Sequence, residues 1–223
     1  MKIRDIYFKK GNYVVSAIVA ALCIAVTVVY LLFPQTWESI AYSYPINHPW
    51  QICSGIFLHG SPELSTEATV GHLLFNLLLI LPFGLLIEKA IGSKRFFIMF
   101  LILWAINAIA FFVIAMTTTP KGETAFSAGI SGIAYAYEVV GLYVLYSLGR
   151  KDFKLLFKQV SFYCLIGIAV VMLLLICAAG LWSAVIHFIA IMCGVIFTIA
   201  FHKTIQAFFS SAVCTDTACE KTA

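Results

Sequence analysis

Long apolar runs alternate along this chain with short polar or basic segments. The runs at 12–33, 71–91, 96–116, 131–148, 161–181 and 183 to about 201 each approach the roughly 20 residues that a helix needs to cross a bilayer. Pro34 closes the first run. The connection 34–70 carries Pro45, Pro49 and Pro62 and a polar stretch at 60–69. Within it, 50–58 is apolar but too short to span, and is expected to lie at the membrane interface or dip partly into it. This pattern predicts an all-α polytopic membrane protein, a bundle of six transmembrane helices. It divides the chain into a short basic N-terminus at 1–11, a membrane domain at 12–205 and a tail at 206–223, whose polar end is expected to be disordered.

Composition agrees with that reading. The chain is 62% hydrophobic and 11% charged, with a mean hydropathy of +1.01. Soluble domains average roughly 45–50% apolar and about 25% charged. The net charge of +4 calls for no nucleic-acid partner, because the predicted topology sorts the basic residues. With the N-terminus cytoplasmic, Lys121 is the one of the 14 Lys and Arg that falls outside. That distribution follows the positive-inside rule and implies a multi-pass protein of the cell membrane with both termini cytoplasmic. Of the 7 cysteines, Cys23, Cys53, Cys164, Cys177 and Cys193 read as small apolar fillers. Cys214 and Cys219, in the tail, lack the further ligands a zinc site needs. No metal and no cofactor is implied.

Polar residues within spans mark function by default. Gly129-Ile130-Ser131-Gly132 opens the fourth run, and small residues beside a serine let the backbone turn sharply and let another chain come close. The same tetrapeptide also suits plain helix packing. His72 and Asn76, four apart and so on one helix face, begin the second span. His187 begins the sixth. These spans run in the same direction, so Ser131, His72, Asn76 and His187 share one depth, in the outer third of the bilayer. Ser131 is then a candidate nucleophile and His187 its candidate base. His72 and Asn76 are candidate donors to an oxyanion. Tyr135, one turn after Ser131, can pack on the imidazole. The bland readings are interhelical hydrogen bonding for the histidines and Asn76, and packing for Tyr135. Glu138, seven residues after Ser131, lies about 10 Å deeper, too far to serve as a third catalytic acid.

These residues bring the chain close to a family. His72-Leu73-Leu74-Phe75-Asn76, Glu88-Lys89 followed by Gly92-Ser93, Gly129-Ile130-Ser131-Gly132 with Tyr135, and His187 with Gly194 resemble the motifs of the rhomboid intramembrane serine proteases. The resemblance covers 50–201. It implies a Ser131–His187 dyad without a third acid, and an oxyanion site built from His72, Asn76 and the Ser131 backbone N–H. It gives Gly129 the task of letting the loop approach the scissile carbonyl, and makes Gly132, Tyr135 and Gly194 supporting residues. Phe75 and Trp182 match regions of the substrate entrance. The family's glycine three residues after the histidine is Ala190 here. The implied activity is serine endopeptidase cleavage of transmembrane protein substrates near the outer face, with lipids as the other partners. The alternative is a catalytically silent rhomboid-like protein that binds transmembrane helices in quality control or trafficking. A zinc protease is disfavoured by the lack of H-E-x-x-H, and an aspartyl protease by the lack of paired aspartates in the spans.

Overall fold

The computed structural model describes residues 13–150, 162–167, 169–170, 174 and 180–219. Five long helices dominate: α1 Val14–Leu32, α2 Thr66–Ile91, α3 Ser93–Thr118, α4 Ser131–Gly149 and α5 Leu181–Cys219. Helices α1 to α4 correspond to the first four predicted spans and α5 to the sixth. The predicted fifth span, 161–181, falls largely outside the described residues, of which 162–167 are helical.

Among the described residues, α1, α2, α3 and α5 contain stretches long and apolar enough to cross a membrane. Helix α4 is more polar, and its position explains why. It packs chiefly against α5 and α2, and Gly132, Ile133, Ala134, Tyr135, Ala136, Tyr137, Glu138, Val140 and Gly141 are all buried. A helix screened from lipid by its neighbours can carry tyrosines, glycines and a carboxyl group that a lipid-facing helix could not. Gly141 admits the ring of Phe83 from α2. Tyr137 is fully buried against Phe96 of α3, ring centroids 4.9 Å apart.

Capping sets the ends of α2. Ser65 accepts a hydrogen bond from the Ala68 N–H at 3.2 Å, so the helix starts at Thr66, ahead of the apolar run. Gly92, at φ 84°, provides the turn into α3. Helix α5 does not stop near residue 201. It continues to Cys219, with Ile205 and Phe209 still buried.

The connection 33–65 is a folded unit. A 3-10 turn at Pro34–Thr36, short helices at Trp37–Ile40 and Gln51–Ser54, and strand β1, Tyr42–Tyr44, follow one another. Strand β2, Ala125–Ser127, pairs antiparallel with β1 in the register Tyr42↔Ser127, Ser43↔Phe126 and Tyr44↔Ala125. The all-α expectation thus acquires a small two-stranded sheet between its helices. Gln51 organises this unit from a buried position. Its Oε1 accepts from the Ser43 hydroxyl and the backbone N–H groups of Asn47 and His48, and its Nε2 donates to the Glu38 carbonyl. Trp50 is exposed, stacked on His48 with ring centroids 4.5 Å apart, as suits an interfacial aromatic.

Glu88 secures α1. Its side chain is fully buried and accepts from the Val15 N–H at 3.1 Å, the Ser16 N–H at 2.9 Å, the Ser16 hydroxyl at 2.7 Å and the Ser93 hydroxyl at 2.6 Å. A carboxylate at the start of α1 satisfies N–H groups that the helix itself cannot, and the same group ties α1 to α2 and α3. Glu88→Ala strands those donors and is expected to cost roughly 2–4 kcal/mol. Glu88→Gln, which keeps one acceptor oxygen, should cost less. Thermal unfolding of the detergent-solubilised variants checks this ranking, and equal midpoints for Glu88→Ala and the unsubstituted protein would refute it.

Candidate active site

The local backbone at Ser131 is set by the glycine before it. Gly129 adopts φ 112°, a conformation that side-chain-bearing residues avoid. Its N–H donates to the Gly55 carbonyl at 3.0 Å, which ties the loop to the connection 33–65. A Cβ at Gly129 would stand 3.3 Å from Cε1 of His72, so the position is constrained by space as well as by φ. The chain then turns, with Ile130 as N-cap, and Ser131 is the first residue of α4. The first N–H groups of a helix have no intrahelical acceptor and carry the positive end of its dipole.

His187 approaches from α5. Its Nε2 lies 2.8 Å from the Ser131 Oγ, the separation of a good hydrogen bond. The imidazole is buried, and its Nδ1 has no hydrogen-bond partner among the described residues. Tyr135 packs on the same imidazole, with ring centroids 4.6 Å apart and planes inclined by 51°. The structure therefore brings Ser131, Tyr135 and His187 together.

The two helices can come this close because of Gly194. A Cβ there would lie 2.9 Å from both the Ala136 carbonyl oxygen and the Val139 Cβ. Glycine thus lets α5 lie directly on the α4 backbone two turns below the Ser131–His187 pair. The room at Gly194 is filled by Ala136 and Val139, and Ala190 is buried without separating the helices. Glu138 is buried with one carboxyl oxygen unpartnered, and no hydrogen bond joins it to His187 among the described residues.

His72 and Asn76 occupy a different side of the serine loop. His72 is half-buried behind Gly129, and its ring stands edge-on to His59 with centroids 5.2 Å apart. His59 is fully buried. Its backbone N–H donates to the Thr27 hydroxyl at 3.1 Å, and its Nδ1 lies 3.1 Å from the Phe57 carbonyl. Burial, and secondarily the neighbouring His72, push its pKa down to about 3, so this imidazole is neutral. Asn76 is buried, donates its amide to the His72 carbonyl at 2.9 Å, and leaves Oδ1 without a partner.

A cavity of about 310 Å³ opens beside the Ser131–His187 pair. Gly129, Ser131 and Gly132 form one wall, Trp182, Ser183, Ile186 and His187 of α5 another, and β2 with Ala128 a third. Of the polar residues singled out in the sequence, Ser131 and His187 line this space, whereas His72 and Asn76 do not. Trp182 lines it and Phe75 does not; both are exposed. Asn107 of α3 also lines it, and sequence reasoning passed over that residue. The available signal was an asparagine inside an otherwise apolar span. Gly132 has its own explanation here, since a Cβ on it would collide with the Asn107 amide. Among the described residues no group of His, Cys, Asp and Glu is placed to hold a metal ion.

Gly194→Ala is expected to push α5 off α4 at a cost of about 1–3 kcal/mol, because the obstructing atoms belong to backbone and Cβ. The midpoint of thermal unfolding measures it, and an unchanged midpoint would show that the close approach is dispensable.

Comparison with known proteins adds one finding. The family model described as Rhomboid domain matches residues 47–205, a stretch that contains the Ser131–His187 pair, His72 and Asn76. No curated protein matches the chain.

Proposed function

The chain belongs to the rhomboid family of multi-pass integral membrane proteins, and from that premise we propose that it is an intramembrane serine endopeptidase working through a Ser131–His187 dyad. The observation that carries this reading is the 2.8 Å separation of Ser131 Oγ and His187 Nε2, from two different helices, at the wall of a cavity. A silent, helix-binding member would have no need of that alignment.

In the proposed reaction, His187 takes the proton of Ser131 as Oγ attacks the substrate carbonyl. His187 then delivers that proton to the leaving amine, and a water molecule, activated by the same imidazole, releases the acyl group. Backbone N–H groups at the start of α4 stabilise the oxyanion, aided by the dipole of the helix. His72 and Asn76 join them once substrate rearranges the loop at Gly129, behind which His72 lies. The tyrosine ring of Tyr135 holds the imidazole in plane with its task. No carboxylate completes the pair, in keeping with the unpartnered Nδ1 of His187.

The substrate is a transmembrane protein. A helical amide is shielded by its own hydrogen bonds, so the cleaved segment must unwind, and small or helix-breaking residues near its end make that easier. Strand β2 has one neighbour, β1, among the described residues, and its residues line the cavity. An unwound substrate can pair with the vacant edge as a further strand. The arrangement of basic residues supports an orientation with the Ser131 end on the outer side of the membrane and both termini in the cytoplasm.

Reconstitution in liposomes with a single-span test protein, carrying Gly, Ala and Ser residues near its outer end, tests the reading. The unsubstituted enzyme should release two fragments cut near that end. Ser131→Ala and His187→Ala should each lower the rate by about a thousandfold or more. Glu138→Gln should keep most of it, since no hydrogen bond joins its carboxyl group to the imidazole among the described residues. Cleavage by Ser131→Ala at the unsubstituted rate would end the proposal, and loss of activity in a folded Glu138→Gln as complete as in Ser131→Ala would contradict a dyad without a third acid.

A further inference from the structure

The Gly129 loop rests on two neighbours. A Cβ at Gly129 would stand 3.3 Å from Cε1 and 3.5 Å from Nε2 of His72, and 3.8 Å from the Leu58 carbonyl oxygen. The residue after Leu58 is His59, and its surroundings fix where its ring hydrogen lies. Its Nδ1 is 3.1 Å from the Phe57 carbonyl oxygen. A carbonyl oxygen only accepts, so Nδ1 carries the hydrogen, and Nε2 of the neutral ring is left with a lone pair. That lone pair is sealed from solvent and has no donor among the described residues. The backbone bond from His59 to Thr27 of α1 holds the ring in this place.

A buried acceptor without a donor is costly, and such atoms are rare in folded proteins. The polar ring beside this one is His72, edge-on with centroids 5.2 Å apart. The His72 side chain makes no hydrogen bond among the described residues. Two imidazoles joined nitrogen to nitrogen by a hydrogen bond of about 2.9 Å have nearly this centroid separation. Turning His72 on its own side-chain torsions is therefore enough to form the bond. In the proposed reaction His72 also donates to the oxyanion. A neutral imidazole has one N–H and cannot serve both acceptors, whereas an imidazolium has two. We propose that His59 is a positioning residue for His72: its Nε2 accepts one N–H of a His72 imidazolium, which aims the other N–H at the oxyanion. The inference rests on the protease reading above. His72 takes its second proton from water before substrate binds and keeps it through the acyl transfer, so the proton passed from Ser131 through His187 to the leaving amine is unaffected. His59 stays neutral beside that cation because it is buried. The charge therefore stays on the ring that borders the serine loop, where a charged donor makes the stronger hydrogen bond to an oxyanion.

The test measures kcat and KM for the full chain in liposomes with the single-span test protein. His72→Ala should lower kcat about a hundredfold, the usual loss for one oxyanion donor. His59→Phe keeps a ring and removes the acceptor, and should lower kcat about tenfold or more with KM unchanged. His59→Gln, whose side-chain carbonyl replaces Nε2 as acceptor, should recover most of that loss. Added to His72→Ala, the His59→Phe change should alter kcat by less than about twofold, because nothing is left to position. A merely structural role would cost as much in that background as alone. That outcome overturns the inference, as does a folded His59→Phe with unchanged kcat; in both cases the protease reading stands, since cleavage is observed. If the His59 variants fail to fold, the histidine NMR spectrum of the isotope-labelled chain, phosphonylated at Ser131, decides the matter, because the phosphonyl oxygen takes the oxyanion's place. The signals that vanish in His72→Ala should be those of an imidazolium, and a neutral His72 overturns the inference. An unsubstituted protein that neither cleaves nor takes the phosphonyl group removes the protease reading and the inference with it.

Discussion

The hydrogen bond between Ser131 and His187 depends on how closely two helices can lie. Nothing local to either residue produces it, because they are 56 positions apart. Gly194 brings the backbone of α5 onto Ala136 and Val139 of α4, and Ser131 and His187 then meet two turns nearer the helix ends. In a bilayer the apolar effect does little to draw helices together, and contact between small residues takes its place. The reactive pair is in this sense a product of helix packing. Tyr135, on the same face of α4, then fills the space beside the imidazole.

Around that contact the fold separates two jobs that lipid would otherwise set against each other. Helices α1, α2, α3 and α5 present apolar surfaces outward, so α4 is free to carry Ser131, Tyr135, Tyr137 and Glu138. The buried carboxylate of Glu88 joins the start of α1 to α2 and α3 at the end of the bundle away from Ser131. Gln51 does comparable work in the connection 33–65, whose backbone must be satisfied internally wherever it leaves water. The rigid platform made by these groups holds the Gly129 loop against Gly55 and His72, and the cavity opens where the loop, β2 and the first turn of α5 come together.

Much of this was legible in the sequence because it is written locally. Apolar runs mark α1 to α3 and the start of α5, and the small residues around Ser131 mark the turn into α4. The shared depth of Ser131 and His187 follows from topology alone. What could not be read is what depends on pairing between distant segments. Strands β1 and β2 are three residues each and acquire meaning only beside one another. The partner of Gly194 is Ala136 and Val139, which no spacing rule identifies. Asn107 looks like ordinary interhelical glue until the structure shows it facing a cavity. His72 and Asn76 share a helix face as predicted, but the Gly129 loop stands between them and the space that Trp182 and His187 border. The continuation of α5 to Cys219 was hidden by the change from apolar to polar composition after residue 201, which resembles an ending.

The most direct test of the central claim is to locate a covalent adduct. The purified protein is treated with a fluorophosphonate, digested and analysed by mass spectrometry, with the stoichiometry taken from the intact mass. The account predicts one phosphonyl group per chain, carried by Ser131, and none on the other serines. An unmodified chain, or an adduct spread over other residues with Ser131 free, would contradict it.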